Sequence, residues 1–306
     1  EAVVCLGGAA LEASLDGEPV QTFAPLPVHA GQTLKLGRVK GAGLRAYLAV
    51  QGGLDAPAYL GSRSTFTLGC FGGLDGRTLA PGDMLPVGEA AADVPAPLAP
   101  GVAPELDADW RIGVLIGPHT SPEFLTEDGV AALVGAEWEV HHNSARTGVR
   151  LVGPRPEWAR EDGGEAGLHP SNIHDTGYAI GAVDLTGDMP VILGPDGPSL
   201  GGFVCPAVVA AAERWKLGQL RPGDRVRLVP WTQDRAAAAW QRRTDFLGRA
   251  VSRIEPLARP GWNAVVRRDD AIGDAVLASE PAEGLLPSVT YRQAGDRFVL
   301  VEFGAM

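Results

Sequence analysis

The chain has 306 residues, 45% hydrophobic and 21% charged, which suits two domains of ordinary size and excludes wholesale disorder. Its formal charge of −11 disfavours nucleic acid and anionic membrane surfaces as partners, because both need basic patches. No apolar run approaches the roughly 20 residues of a membrane span, and no signal peptide opens the chain.

Residues 1–92 read as short strands between turns. LEASLDGEPV is strand-patterned around Asp16-Gly17, a strong hairpin dipeptide. GQTLKLG and LRAYLAV continue the pattern, and LGCFGGLDGRTLAPGDMLPV supplies glycine turns and a last strand. Residues 93–104, DVPAPLAPGVAP, read as a proline-rich linker. The next unit, 105–230, opens with a strand in IGVLIGP. A helix is expected from Ser121 with Pro122 at its first position, then a strand in EWEVHHN. PAVVAAAERWKLGQL from Pro206 has helical spacing, and RPGDRVRLVP ends the unit with a turn and a strand. LAPGDMLPV and LRPGDRVRLVP look like one device used twice, which suggests two related β units, each closing its own barrel.

Residues 232–257 form the strongest helical pattern, with a basic face (Arg235, Arg242, Arg243, Arg249, Arg253) read as solvated. The whole therefore reads as mainly β with a few helices. Cys5, Cys70 and Cys205 lack CxxC spacing and read as reduced core thiols, which points to a cytoplasmic protein. Glu1 leads straight into an apolar run and the chain stops on a strand pattern, as a piece of a larger protein would.

The chemistry concentrates between His169 and Cys205. This stretch sets His169, Asn172, His174, Asp175, Asp184 and Asp188 among short apolar β runs, then closes on Gly201-Gly202. Asp184 ends a run that reads as a buried strand, where an unpaired charge is costly. Glycines let a ligand approach the backbone closely, although a bend or bulge uses them equally well. His174 and Asp175 are neighbours in an extended segment and point to opposite faces, so they are not assumed to be a dyad. Asp188 reads as a turn cap. No metal-ligand spacing, GxSxG elbow, GxGxxG fingerprint or GxxxxGK[ST] loop is present.

HPSNIHD (169–175), GAVDLTGDMPV (181–191), DGPSLGGFV (196–204), GSRSTF (61–66) and NSARTGVRL (143–151) occur together. With them the chain, to about Pro230, resembles the carboxyltransferase half of the biotin-dependent urea carboxylases, related to allophanate hydrolase subunit 2. The resemblance implies cyclophilin-like β-barrel units and transfer of CO2 from carboxybiotin to a nitrogen of urea or guanidine. It implies that Asp184 faces the substrate, where it could also draw a proton in a catalytic role, and it strengthens the reading of Ser199, Gly201 and Gly202 as backbone donors for the biotin enolate. The residues themselves make His174 either a catalytic group that orients substrate or titrates, or a structural histidine, and make Asn172 and Tyr178 candidates for further substrate hydrogen bonds.

In that family asparagine at position 184 goes with urea and aspartate with guanidine, so guanidine is favoured. A planar cation also matches a carboxylate through paired, charge-assisted hydrogen bonds. Biotin would arrive on a separate carrier domain, ATP would be used by a separate biotin carboxylase domain, and no metal is implied. From Ser288 the tail, 288–306, is similar to the opening of the second carboxyltransferase half, with 231–287 as helix and linker. Three features depart from the pattern. The family's opening segment precedes Glu1, Thr147 replaces a usual methionine, and no biotinyl-lysine motif occurs, so the piece alone should be a poor catalyst. The alternatives are a 5-oxoprolinase component related to a sporulation-kinase regulator, which carries GAxQ and TTGGY where this chain has GAVD and SLGGF, and a non-catalytic binding module.

Overall fold

The computed structural model describes residues 1–89, 96–97, 102–252 and 275–304, without side chains at 250–252. Most of the expected linker 93–104 and the end of the expected helix 232–257 lie outside the described residues. The chain divides into two compact units, Glu1–Gly41 with Arg45–Ala103, and Ala42–Leu44 with Pro104–Met306.

The first unit holds two antiparallel three-stranded sheets. One joins β1 (Ala2–Gly8), β4 (Pro25–Val28) and β6 (Ala46–Val50); the other joins β2 (Leu11–Leu15), β3 (Glu18–Pro19) and β5 (Leu34–Val39). Asp16 and Gly17 both take positive φ, as the expected hairpin turn requires. The unit is β throughout but forms no closed barrel among its described residues. Its Pro-Gly-Asp turn is held by Asp83, which accepts from Ala80 N–H and from both Arg77 terminal nitrogens. That turn leads to an isolated bridge, Leu54 to Val87, rather than to a barrel strand. Cys70 is exposed and Cys5 half-buried, so only Cys205 is the core thiol expected of all three.

The second unit is built on a closed seven-stranded barrel. Its strands are β7 (Asp109–Ile116), β8 (Trp138–Val140), β9 (Gly148–Val152), β11 (Ala182–Thr186), β12 (Met189–Leu193), β14 (Ala207–Val209) and β15 (Arg225–Pro230), in the order β11-β12-β9-β8-β15-β7-β14. Alternation decides which residues fill it. Trp110, Ile112, Val114 and Ile116 of β7 point inward with Val183, Leu185, Ile192, Val226 and Leu228. Leu115 points outward against Trp231 and Ala236. Closure buries this interior on all sides, and the β7–β15 pair is the one parallel pairing in it. Here the second Pro-Gly-Asp turn does feed a barrel strand, β15.

Two helix expectations are corrected. The first helix, α1 (Glu127–Gly135), begins six residues after Ser121. Thr126 caps it by accepting a hydrogen bond from Gly129 N–H at 2.9 Å, and Glu127 and Asp128 sit at its positive end. The run from Pro206 is strand β14 followed by a 3₁₀ helix, Ala211–Gly218. Ala207 and Val209 fill the barrel while Val208 packs outside, and burial on both faces overrides alanine's helix preference.

The expected long helix is α2 (Gln233–Ser252). Its basic face is partly docked rather than wholly solvated. Arg235 lies 4.8 Å over the Trp231 ring, and Arg243 donates to the Ala212 carbonyl at 2.9 Å. An antiparallel sheet of β16 (Val276–Glu280), β17 (Val289–Ala294) and β18 (Phe298–Phe303) follows, so a strand stands inside the expected linker 231–287.

Candidate functional site

The stretch His169–Cys205 builds two adjoining hairpin-like pieces. β11 and β12 form a barrel hairpin, with Thr186 opposite Met189. A two-stranded antiparallel ribbon, β10 (Asn172–Gly177) with β13 (Leu200–Phe203), stands apart from the barrel sheet and carries a register shift between Asn172 and Thr176.

Asp184 sits on β11 with its side chain opposite in direction to Val183 and Leu185. It therefore faces outward from the barrel, on the side where Ala182, Leu193, Cys205 and Val208 cluster beneath Tyr178 and Ala179. It is nevertheless only 2% exposed, and its Oδ1 atom has no hydrogen-bond partner. Burial raises its carboxyl from the ordinary 3.8 to about 8, against a smaller downward pull from a hydrogen bond with the Cys205 thiol.

Tyr178 was expected to offer a hydrogen bond to substrate, but its hydroxyl is committed to β13. It donates to the Phe203 carbonyl at 2.8 Å and accepts from Phe203 N–H at 2.6 Å. Burial, with the Asp184 carboxyl beside it, pushes the phenol upward. Tyr178 thus fixes the ribbon over Asp184.

The glycine pair is also filled by its own chain. A Cβ on Gly201 would stand 2.9 Å from the Tyr178 ring, and one on Gly202 would stand 2.7 Å from the Ile173 carbonyl. The close backbone approach that glycine permits is made here first by β10 and its extension. Ser199 precedes β13, is exposed, and accepts from Tyr178 N–H at 2.9 Å through its carbonyl.

His174 is exposed and lines a cavity of about 400 Å³ together with Glu123, Phe124, Arg160, Asp162 and Ile173. Asp184, Tyr178, Ser199, Gly201 and Gly202 do not line it, so the expected residues fall into two neighbouring groups. Asn172 packs its side chain against the 163–167 loop; a Cβ on Gly167 would stand 3.2 Å from its Oδ1. Its carbonyl accepts from Arg160 at 2.6 Å. Asp188 lies at the β11–β12 turn, as expected, and accepts from Trp158 Nε1 at 3.3 Å while His169 approaches it at 3.5 Å.

Sequence reading missed two further residues. Arg160 reaches over the Phe124 ring at 4.8 Å and donates twice to the Pro170 carbonyl, holding the segment that enters β10. His119, fully buried, accepts from Cys205 N–H at 3.2 Å. Arg160 stood in an acidic, glycine-rich run and His119 at a strand end, and neither position carries a motif of its own. Among the described residues no group of three or more His, Cys, Asp or Glu is placed to hold a metal ion, and no helix is long and apolar enough to cross a membrane.

The sequence that builds this barrel and its outward-facing buried carboxyl matches a known family model. Residues 1–230 match the model described as carboxyltransferase domain, subdomain A and B. The chain belongs to that carboxyltransferase-domain family. It is 44% identical to the urea amidolyase of Lachancea kluyveri over 99% of its own length, but spans 17% of that protein. It superposes on the Kluyveromyces lactis urea carboxylase with a TM-score of 0.89 at 43% identity, covering 100% of this chain and 28% of that one. It is also 34% identical to a 5-oxoprolinase component of Escherichia coli, over 77% of this chain and 72% of that protein.

Proposed function

We propose that the chain is the carboxyltransferase part of a biotin-dependent carboxylase, and that Asp184 receives a small planar nitrogen substrate, guanidine ahead of urea. The observation that carries this is a carboxyl 2% exposed whose Oδ1 lacks a partner. Such a group is costly to bury, and planar N–H donors would satisfy it. As carboxylate it accepts paired hydrogen bonds from a guanidinium ion. With its pKa at about 8 it also exchanges its proton near neutrality, as a base must if it is to relieve the attacking nitrogen of one. His174, at the adjoining cavity, is the second candidate for holding or moving a proton.

Biotin, delivered by a separate carrier domain and recharged by an ATP-using biotin carboxylase domain, would supply the carboxyl group. The fit to its ring oxygen rests on β13. That strand pairs only with β10 among the described residues, and the Tyr178 hydroxyl takes both the N–H and the carbonyl of Phe203, so the edge left to a ligand is confined to alternate peptide groups of Leu200–Gly202. Ser199, Gly201 and Gly202 put no large side chain over that edge. Peptide N–H groups fixed in this way favour developing negative charge.

Urea is the second reading, favoured by the names of the most similar relatives. A protonated Asp184 offers both a donor and an acceptor, as a carboxamide does, and so suits a neutral amide. The test is fixation of isotope-labelled bicarbonate by the full-length protein with ATP and either substrate. Label in a product that depends on guanidine or urea supports the reading, and fixation with neither overturns it.

A further inference from the structure

The motif GSRSTF (61–66) has no part in the candidate site, yet it lends a wall to a cavity inside the first unit. That cavity measures about 490 Å³ and is bounded by the turn 52–55, by Arg63 and Ser64, and by Gly88. Backbone contacts fix the turn. Gly53 N–H donates to the Val50 carbonyl at 2.9 Å, Gly88 N–H to Gly53 at 3.0 Å and Asp55 N–H to Pro86 at 2.8 Å. Gly52, at a φ of +85°, lies so close to Gly88 that a Cβ on it would stand 2.4 Å from the Gly88 carbonyl. The 61–66 wall is braced as well. Tyr59 and Ser62 exchange backbone hydrogen bonds at 2.8 and 3.0 Å, and Phe66 N–H donates to Phe71 at 2.9 Å. The Phe71 ring lies 4.9 Å from Tyr59 and 5.3 Å from Phe66. Both walls are set before a ligand arrives, which lowers the cost of binding one.

Among the described residues, Arg63 and Asp55 are the only charged groups lining this cavity. Arg63 Nη1 donates to Asp55 Oδ1 at 2.9 Å and to the Ala56 carbonyl at 2.5 Å, so the guanidinium is held by one corner. Among the described residues its Nε and Nη2 have no partner, and Asp55 Oδ2 has none either. Both side chains are exposed, and a pair of that kind adds little to stability.

The edge formed by Nε and Nη2 presents two parallel donors, the arrangement that takes a carboxylate side-on. Asp55 Oδ2 beside it presents an acceptor. The two charges cancel, so a doubly charged phosphate would meet Asp55 as a like charge with no surplus of positive charge to offset it. A bare carboxylate answers Arg63 alone. A small planar molecule with N–H groups next to its carboxylate answers both residues.

We propose that this cavity binds a small planar carboxylate bearing adjacent N–H groups, with Arg63 taking the carboxylate through Nε and Nη2 and Asp55 accepting an N–H. Carboxyl transfer to a nitrogen of urea or guanidine makes a product of this class, and in that link the proposal rests on the function proposed above. The cavity belongs to the first unit, whereas Asp184 belongs to the second.

The test is NMR titration of the full-length protein with isotope-labelled oxamate, a planar carboxylate beside a carboxamide, with acetate, which has the carboxylate alone, and with inorganic phosphate. Arg63→Ala should weaken oxamate binding by about tenfold or more, the worth of the charge-assisted hydrogen bonds it removes. Acetate should bind about fivefold more weakly than oxamate, the worth of one further hydrogen bond. Asp55→Asn, which keeps an acceptor for Nη1 but loses the one for the ligand, should erase that preference. Both side chains are exposed, so the melting temperatures should stay unchanged. Equal oxamate binding in the parent and Arg63→Ala overturns the proposal, as does an Arg63-dependent phosphate affinity above that for oxamate. A preference for oxamate that survives Asp55→Asn overturns it too. If oxamate binds as expected but the full-length protein transfers no carboxyl group, the carboxylate site stands and the proposed function falls.

Discussion

Replacing Asp184 by asparagine should flatten the pH dependence of the barrel's stability. The folded carboxyl titrates at about 8, against an ordinary 3.8. Between those values the folded state holds a proton that the unfolded chain has released. Stability from this group is therefore full below the lower value and is lost as pH rises through the upper one. The slope is about 1.4 kcal/mol per pH unit, and the whole span is worth about 6 kcal/mol. Asparagine does not titrate, so Asp184→Asn should lose little between pH 5 and pH 8, where the parent loses about 4 kcal/mol. Hydrogen-exchange protection of β11 and β12 amides, corrected for intrinsic exchange, measures this directly. Parallel slopes in the two proteins would refute the claim that the carboxyl is buried and neutral.

Gly202→Val would drive a Cβ to 2.7 Å from the Ile173 carbonyl and part β13 from β10. Carboxyl transfer should vanish while biotin carboxylation by the separate domain continues, and retained transfer would remove the ribbon from the site. Thr126→Ala deletes the cap of α1 and should cost about 1 kcal/mol in a denaturant melt without changing the Asp184 midpoint. Arg160→Ala leaves the Pro170 and Asn172 carbonyls without their donor. Exchange of β10 amides should speed up and KM for the nitrogen substrate should rise; unchanged values of both would separate this segment from the site.

Much of the fold is legible in the strands themselves. IGVLIGP, EWEVHHN and RVRLVP carry the alternation that places Ile112, Val114, Val226 and Leu228 in the barrel. Asp16-Gly17 announces its own turn because a short-range backbone requirement selects those residues. What sequence hid were decisions made by tertiary burial. PAVVAAAERW has a proline start and alanine-rich spacing, yet Ala207–Val209 closes the barrel because both of its faces are covered. Ser121-Pro122 resembles a helix start, but the cap is Thr126, whose hydroxyl reaches Gly129.

At the site, Asp184 could be picked out because a carboxylate in an apolar strand is an anomaly. Tyr178, Gly201 and Gly202 were legible as special but not in what they do, since their neighbours come from the opposing side of the ribbon. His119 gave no signal at all. Its partners are Cys205, 86 residues away, and a glutamate on β18.

The most direct test of the central claim is the ratio of kcat/KM for guanidine to that for urea, in the full-length protein and in its Asp184→Asn variant. If the buried carboxyl holds the planar nitrogen substrate, the substitution should lower that ratio by about tenfold or more, the worth of one charge-assisted hydrogen bond. An unchanged ratio, with both proteins active, would show that Asp184 does not contact the substrate.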